Sequence, residues 1–394
     1  MGINTREKSI KPTAEEKPSP FLGLSASLSK DLNKKFKDNP IVLSATTADS
    51  VTSVKKWVST GCEMLDLAIS NEKVGGYPCG RVSVLFGKEQ SGKSLLAAHA
   101  LANTQKMGGI AIYIDTEFAI HTPFFNAIGV NTTDPDKWQY IPTNSLEVIL
   151  TSIESLIGMI REIDKDKLIT IVVDSFIATH TEEEIKGDYG LKGYNTSKSI
   201  LIANGLGRLV ELIAKEDVCC IFTNQVRQKL NAQAFEDPWR FPGGQALPHY
   251  ATLMIKLDST SNLKANVHGM DRVVGRSTKA KVTKNRLGPP LLTVSFDIFY
   301  DRGIDNYGSW VEYMKIFKIG KTSSHISYTL NGTDYTAHGK AAFAKDVLSV
   351  YPEVRQAIWN EICDKFIISY NSSGEDSYID RDSVESESIL EEDN

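Results

Sequence analysis

A glycine-rich loop followed by a lysine and a serine is the strongest chemical signal in the sequence. Residues 87–94 read G-K-E-Q-S-G-K-S, which fits the pattern G-x-x-x-x-G-K-[ST]. A strand-like apolar run precedes this phosphate loop and a helix-like run follows it, so backbone N–H groups and a helix N-terminus would surround phosphate oxygens. Lys93 would reach the β- and γ-phosphates and Ser94 would ligate Mg²⁺. The predicted cofactors are therefore ATP and Mg²⁺. The loop residues predicted to bind them are Gly87, Lys88, Glu89, Gln90, Ser91, Gly92, Lys93, Ser94 and Leu95.

Acidic residues follow two other strand-like runs. Asp174 ends the β-branched run 168–173, and Asp115 and Glu117 follow the run 110–114. Ligands gather where parallel strands end, so Asp174 is predicted to hold the water shell of Mg²⁺. Hydrolysis needs a group that orients or deprotonates water, and Glu117 is the first candidate. Asp115 is the second candidate, and the other interpretation is that these acids only cap turns.

A third buried run, 218–223, ends in Asn224 and Gln225, and Gln225 is predicted to contact the γ-phosphate. A long stretch without periodicity follows it, up to two glycines, and such a stretch is usually functional or disordered. Basic residues beside an apolar one suit contact with a nucleic-acid backbone and a wedge between bases. A weaker second loop, 184–193, has a similar composition. An ordinary surface loop is the alternative for both. The DNA-binding candidates are Arg227, Lys229, Leu230, Gly243 and Gly244 in the first loop, and Lys192 and Tyr189 in the second.

A basic strand-like run, 279–286, carries two more candidates. Lys284 and Arg286 are two residues apart and therefore on one face of a strand. A neighbouring subunit would use such residues as counterparts of an arginine finger at the nucleotide. A solvated basic edge strand is the alternative.

The elements that position these residues indicate an α/β fold. Apolar runs alternate with helical stretches over 59–308, which predicts a mainly parallel central sheet. A flexible extension (1–20), an amphipathic helix with an oligomerisation arm (21–58), a small α+β domain (309–370) and an acidic disordered tail (371–394) complete the predicted organisation.

Composition limits the classes of protein. With 41% hydrophobic residues in 394, the chain can build a core, and it has no apolar run long enough to span a membrane. Five scattered cysteines and no secretory leader predict a reducing cytoplasm. The net charge of −5 divides into −8 for residues 374–394 and +3 for the rest. The acidic tail either adds solubility or competes for a polyanion site.

Together these stretches resemble the bacterial RecA recombinases and their tailed-phage counterparts, the UvsX proteins. The resemblance runs in order from about residue 41 to residue 308 and departs at His121 and at 248–250. The matching stretches are 59–61 (STG), 65–66 (LD), 75–81 (GGYPCGR), the phosphate loop, 115–117 (DTE), 173–175 (VDS), 224–227 (NQVR), 243–247 (GGQAL), 284–286 (KNR) and 300–304 (YDRGI).

The resemblance implies a DNA-dependent ATPase that forms helical filaments on single-stranded DNA, pairs it with homologous duplex and exchanges strands. It further implies that Glu117 is catalytic and that Phe124 and Tyr300 lie by the adenine. Gln225 would couple ATP to the DNA loop that holds Arg227, Lys229 and Leu230, which is the second DNA loop of the family, and the loop after Asp174 would be the first. Lys284 and Arg286 would reach the adjacent subunit's ATP. The helix at 21–37 would pack on the next protomer, and the acidic end would restrain duplex binding.

Single-strand-binding and loader proteins are further candidate partners, and the predicted location is the cytoplasm of a bacterium or of a phage-infected host. Two alternatives share the same core. One is a ring helicase or clock-type ATPase, and the other is a nucleotide-sensing DNA-binding regulator without turnover.

Overall fold

The computed structural model describes residues 34, 53–186, 194–228, 239–240 and 246–368. The chain divides into two compact units, 1–54 and 55–394. The second unit contains the central sheet and the helices that cover it. The N-terminal extension and the acidic tail lie outside the described residues. Of the predicted helix and arm at 21–58, the structure describes only Lys34, which is helical, and residues 53–58.

The first half of the second unit alternates strands and helices. Its elements are β1 (Trp57–Val58), α1 (Glu63–Ser70), β2 (Tyr77–Pro78), β3 (Arg81–Gly87), α2 (Lys93–Lys106), β4 (Ile110–Asp115), α3 (Thr122–Ala127), β5 (Trp138–Pro142), α4 (Leu146–Ile163), β6 (Ile169–Asp174), a 3₁₀ turn (Phe176–Ala178), α5 (Glu182–Lys186), α6 (Tyr194–Lys215) and β7 (Cys219–Gln225).

The second half is richer in antiparallel strands. Its elements are β8 (Arg227–Gln228), β9 (Trp239–Arg240), α7 (Ala246–Tyr250), β10 (Leu253–Val267), β11 (Met270–Asn285), β12 (Thr293–Phe299), β13 (Gly303–Ile304), α8 (Asn306–Ile316), β14 (Lys321–Thr322), β15 (His325–Leu330), β16 (Thr333–His338), α9 (Lys340–Ala342), a π-helical turn (Phe343–Leu348) and α10 (Pro352–Phe366).

A nine-stranded sheet forms the centre, in the order β13-β12-β11-β10-β3-β7-β6-β4-β5. The strands from β10 to β5 are parallel, and β10 to β13 pair antiparallel. The β-branched run of β6 and the apolar first four residues of β7 explain their central place, because strands buried on both faces read as continuous apolar runs. The predicted α/β fold with a mainly parallel sheet is confirmed.

Helices cover both faces of the sheet because successive strand side chains point to opposite sides. Val82 and Val84 of β3 pack in one apolar cluster with α4 and α6, while Leu85 packs in the other with α2. In α4 the fully buried positions recur every three or four residues, which places one apolar stripe on the sheet. Ser145 begins that helix by accepting the backbone N–H of Val148 at 3.3 Å.

The segment after β13 adds a three-stranded antiparallel sheet, β14-β15-β16, between α8 and α10. Trp310 of α8 stacks on Trp359 of α10 with ring centroids 4.7 Å apart. The apolar residues of this last segment belong to the same cluster that contains those of α2. The predicted α+β character agrees with these elements, and the predicted domain boundaries stay predictions.

Two predicted loops contain more regular structure than expected. Residues 227–228 pair antiparallel with 239–240, so the stretch after β7 that was predicted to bind DNA begins with a short antiparallel ladder. A two-residue ladder is too short to leave a periodic signal in sequence. In the second loop, residues 184–186 belong to α5, where an acidic first turn favours the helix N-terminus, and Tyr194 begins α6.

No helix in the described part of the chain is long and apolar enough to cross a membrane. The five cysteines are free and buried, as the prediction of apolar packing requires.

Candidate nucleotide-binding site

The phosphate loop connects the end of β3 to the start of α2. Gln90 at its apex and Gly92 before the helix both have positive φ, +57° and +98°. A Cβ at Gly92 would lie 2.7 Å from Ile298 Cδ1, and one at Gly87 would lie 2.2 Å from the carbonyl oxygen of Leu257. Both glycines are therefore required for the loop to lie against strands β10 and β12.

Lys93 points back into the phosphate loop. Its Nζ donates to the carbonyl oxygens of Gly87 at 3.1 Å and Lys88 at 2.6 Å. Burial lowers the pKa of Lys93, and the nearby carboxylates of Asp174, Glu117 and Glu89 oppose that shift. The ammonium is thus held where phosphate oxygens would replace the two carbonyls as acceptors.

A cavity of about 400 Å³ lies beside the phosphate loop. This nucleotide pocket is lined by Gln90, Gly92, Lys93 and Ser94 at its phosphate end, by Arg276 and Thr278 along one wall, and by Leu95, Phe124, Ile298 and Tyr300 around its apolar part. The apolar part suits a base and the loop suits phosphates. Thr278 Oγ1 and, in the loop, Ser91 Oγ are buried without a hydrogen-bond partner among the described residues.

Asp174 lies directly beside Asp115 in the sheet, at the carboxyl edge. Its Oδ1 accepts the Thr223 hydroxyl at 2.5 Å and its Oδ2 accepts the Tyr113 hydroxyl at 2.8 Å. Burial, reinforced by the Asp174 charge, raises the pKa of Tyr113. Each carboxylate oxygen keeps a free lone pair, so Asp174 can still accept a hydrogen bond from a metal-bound water.

The donor set fits Mg²⁺. Ser94 is exposed at the N-terminus of α2, and the hydroxyl and the Asp174 carboxylate are hard oxygen donors. Across the described ranges, no three His, Cys, Asp or Glu side chains form a cage for a metal.

Asp115 and Glu117 have different surroundings. The carboxylate of Asp115 accepts the backbone N–H groups of Glu117, Ala119 and Ile120 at 3.1, 2.9 and 3.0 Å, and the Tyr140 hydroxyl at 3.1 Å. It holds the turn together. The Glu117 side chain is exposed, and its Oε1 accepts Gln225 Nε2 at 3.3 Å. This geometry favours Glu117 as the group that acts on water.

Lys284 and Arg286 lie away from their own phosphate loop. Lys284 is opposite Met254 in β10, whereas Gly87 is opposite Leu257 of the same strand, three residues further on. At about 3.3 Å per residue this separation is about 10 Å. Lys284 Nζ donates instead to the carbonyl oxygens of Pro248 at 2.7 Å and His249 at 3.2 Å, in α7. Burial, with the Arg286 charge as a second cause, lowers the pKa of Lys284.

Most of the predicted DNA-binding residues lie outside the described ranges. These are Tyr189, Lys192, Lys229, Leu230, Gly243 and Gly244. For Arg227 the structure gives only the backbone, in β8 beside Arg240.

Sequence reasoning missed Arg276. It lies two residues before Thr278 in β11, and both line the nucleotide pocket. Its guanidinium bonds to Gln90 and to Tyr300. Strand alternation could have placed it beside Thr278, but nothing in the sequence points to Thr278 itself.

The fold and the pocket define an α/β nucleotide-binding protein of the P-loop class. Residues 23–305 match the family model described as the RecA N-terminal domain. The chain is 31% identical over 340 residues to Protein RecA of Campylobacter lari, an alignment that covers 84% of this chain and 91% of that protein. Protein RecA of Geobacter metallireducens is 33% identical over 311 residues, covering 77% and 84%. The chain therefore belongs to the RecA family, as the resemblance predicted.

Proposed function

We propose that this protein is a DNA-dependent ATPase that forms helical filaments on single-stranded DNA and catalyses homologous pairing and strand exchange. Family membership over residues 23–305 supports the proposal. The observation that carries it is the contact of Glu117 with Gln225 at 3.3 Å, because it links the nucleotide site to the start of the predicted DNA loop.

The nucleotide is ATP. Lys93 and the N-terminus of α2 bind its phosphates, and Phe124 and Tyr300 lie at the apolar part of the pocket, where adenine fits. Ser94 and, through water, Asp174 would hold Mg²⁺, and the bound ion would supply positive charge beside the phosphate oxygens. Glu117 orients the attacking water and accepts its proton.

Gln225 transmits the state of the nucleotide. It is the last residue of β7, beside Gly87 of the phosphate loop in the sheet, and β8 begins two residues later. The Gln225 amide has a second N–H besides the one that it donates to Glu117, so it can also donate to a γ-phosphate, which would draw the side chain toward the nucleotide. The resulting shift at the end of β7 reorders the DNA loop at 226–244. Phosphate contacts by basic residues of this loop and of 184–193 then give an affinity that falls with salt.

Lys284 and Arg286 act in trans. The separation of about 10 Å along β10 keeps them from their own phosphate loop, while a head-to-tail neighbour can present them to the next ATP. A heterologous interface of this kind generates a helix when its rotation does not close. The site is then complete only between two protomers, and single-stranded DNA stimulates hydrolysis by aligning them. The acidic tail, 371–394, restrains binding of duplex.

The first test is phosphate release by the full chain with ATP and Mg²⁺, with and without single-stranded DNA. We expect DNA to raise the rate several-fold, and electron microscopy with a slowly hydrolysed ATP analogue to show filaments. A rate that does not respond to DNA contradicts the proposal, and closed rings would favour a ring helicase or clock-type ATPase.

A further inference from the structure

The wall of the nucleotide pocket contains an arginine with an unusual set of partners. Arg276 Nη1 donates to the carbonyl oxygen of Gln90 at 3.2 Å, and Nη2 donates to the side-chain oxygen of Gln90 at 2.8 Å. Its Nε donates to the Tyr300 hydroxyl at 3.1 Å. One guanidinium therefore joins the apex of the phosphate loop to the tyrosine at the apolar part of the pocket.

Gln90 and Tyr300 both depend on the hydrogen bonds from Arg276 to keep their positions. Gln90 is in the left-handed region at φ +57°, which costs a non-glycine residue free energy. Tyr300 is 47% exposed and lies just beyond the end of β12, so packing alone holds it weakly. Arg276 itself lies inside the ladder between β11 and β12, opposite Ile298, so its backbone is fixed. The rigid strand is thus the anchor, and the loop and the tyrosine are held by it.

The charge of Arg276 is also uncompensated. Among the described residues, no carboxylate lies within ion-pair distance of its guanidinium. Its partners are neutral oxygens, and it lines the pocket beside Thr278, whose hydroxyl is buried without a partner. A half-buried arginine with neutral partners favours an anionic ligand in the adjacent space.

We infer that Arg276 is a nucleotide-positioning residue, which spans the nucleotide pocket and holds both the phosphate-loop apex and Tyr300 in the geometry that binds ATP. This inference rests on the proposed function for the identity of the ligand. Arg276 acts in cis through Gln90 and Tyr300, so its effect falls on nucleotide affinity and not on the hydrolytic step, which belongs to Glu117.

The chain offers a matched control. Arg272 lies four residues earlier in β11, is exposed, and is outside the nucleotide pocket. Arg272→Gln removes the same charge from the same strand. Arg276→Lys keeps the charge, but one ammonium on an unbranched chain does not reproduce the planar fork that bonds to both partners. Tyr300→Phe removes one of the three bonds and keeps the ring.

The experiment measures KM for ATP and kcat with saturating single-stranded DNA, direct binding of a fluorescent ATP analogue, and the melting temperature without nucleotide. We expect Arg276→Gln to raise KM and the dissociation constant about tenfold, the loss typical of charged hydrogen bonds. We expect kcat to stay within about twofold, because uniform binding is removed. Arg272→Gln should match the wild type. Arg276→Lys should show at least half of the rise in KM that Arg276→Gln shows.

The sharpest readout is whether the effects of Arg276→Gln and Tyr300→Phe on KM are additive. Tyr300→Phe should raise KM about threefold in the wild type and have no further effect in the Arg276→Gln background, because contacting residues are not additive. Additive effects, full rescue by lysine, or a KM equal to that of Arg272→Gln would overturn the inference. A fall in kcat or melting temperature without weaker nucleotide binding would overturn it too. If the wild type binds the analogue but shows no DNA-stimulated hydrolysis, the proposed function fails, and the binding data still decide the role of Arg276.

Discussion

The acidic edge of the sheet and the nucleotide pocket are built in opposite ways. At the edge, both buried carboxylates already have donors from the chain: Asp115 has four and Asp174 has two. In the nucleotide pocket, the Lys93 ammonium is held only on two backbone carbonyl oxygens, at 3.1 and 2.6 Å. Buried polar groups are normally satisfied, so the turn at Asp115 is complete by itself. Lys93 is completed by phosphate oxygens of the ligand, and Asp174 keeps lone pairs for a metal-bound water.

This difference separates residues that support the structure from residues that act on the substrate. A carboxylate whose oxygens are occupied contributes to stability, and its loss appears in the free energy of unfolding. A group that is exposed or held on replaceable partners, such as Glu117 or Lys93, contributes to activity. Both kinds of residue lie within a few positions of one another, so substitutions can separate the two effects.

The largest effect is expected at Lys93. Lys93→Ala removes the ammonium that lies on the carbonyl oxygens of Gly87 and Lys88, so charge on the transferred phosphoryl group loses its main protein partner. We expect ATP hydrolysis to fall by about 100-fold or more, with loss of ATP-supported filaments. Phosphate release and electron microscopy measure the two outcomes.

The control for that variant is Lys106→Ala, at the exposed last turn of the same helix. It should hydrolyse ATP at the wild-type rate. Strand exchange at full rate by Lys93→Ala would contradict the account.

The next effect separates neighbouring acids. Glu117→Gln should lower kcat by about 100-fold, the usual contribution of a general base, with little change in unfolding. Asp115→Asn should instead cost about 2 kcal/mol of stability, because an amide nitrogen would face backbone donors. Urea unfolding and steady-state kinetics on both variants test this. If Asp115→Asn lost activity as Glu117→Gln does, with the free energy of unfolding unchanged, the contrast between the edge and the pocket would be wrong.

A smaller effect concerns pH. His99 lies in α2, and its Nε2 accepts the backbone N–H of Ile304 at 3.2 Å. Burial lowers the pKa of His99 to about 4 from 6.5. Because the unfolded chain binds the proton more tightly, the stability from this group is present above pH 6.5 and is lost as the pH falls toward 4. His99→Gln should flatten the fall in unfolding free energy over that window, as urea titrations at several pH values would show. Equal pH slopes for the two proteins would exclude this role.

Much of the site was predictable because its signals are local. The phosphate loop is one contiguous motif, and Asp174 and Gln225 each end an apolar strand, so the parallel sheet brings them to one edge. The sequence placed Glu117 ahead of Asp115 only by its position past the strand. The backbone N–H groups that the tight turn directs at Asp115 leave no local signal in the sequence.

The positions of Arg276 and Lys284 relative to the phosphate loop depend on the register of strands that are far apart in sequence. Arg276 and Gln90 are 186 residues apart. They meet because β11 pairs with β10 and β10 pairs with β3, the strand that leads into the phosphate loop. Lys284 was predicted on one face with Arg286, yet its distance from its own phosphate loop follows from the register of β10 with both neighbours. A register of this kind is set by the whole sheet and leaves no trace in a short window of sequence.

The most direct test of the central claim mixes two inactive variants. Lys93→Ala lacks the phosphate-loop amine, and the double variant Lys284→Ala/Arg286→Ala lacks the residues proposed to act in trans. Each should be inactive alone with single-stranded DNA. In an equal mixture, random head-to-tail assembly gives about a quarter of interfaces an intact amine from one protomer and intact Lys284 and Arg286 from the other. We therefore predict that DNA-stimulated phosphate release recovers to about a quarter of the wild-type rate. A mixture as inactive as its components would contradict an ATP site shared between protomers.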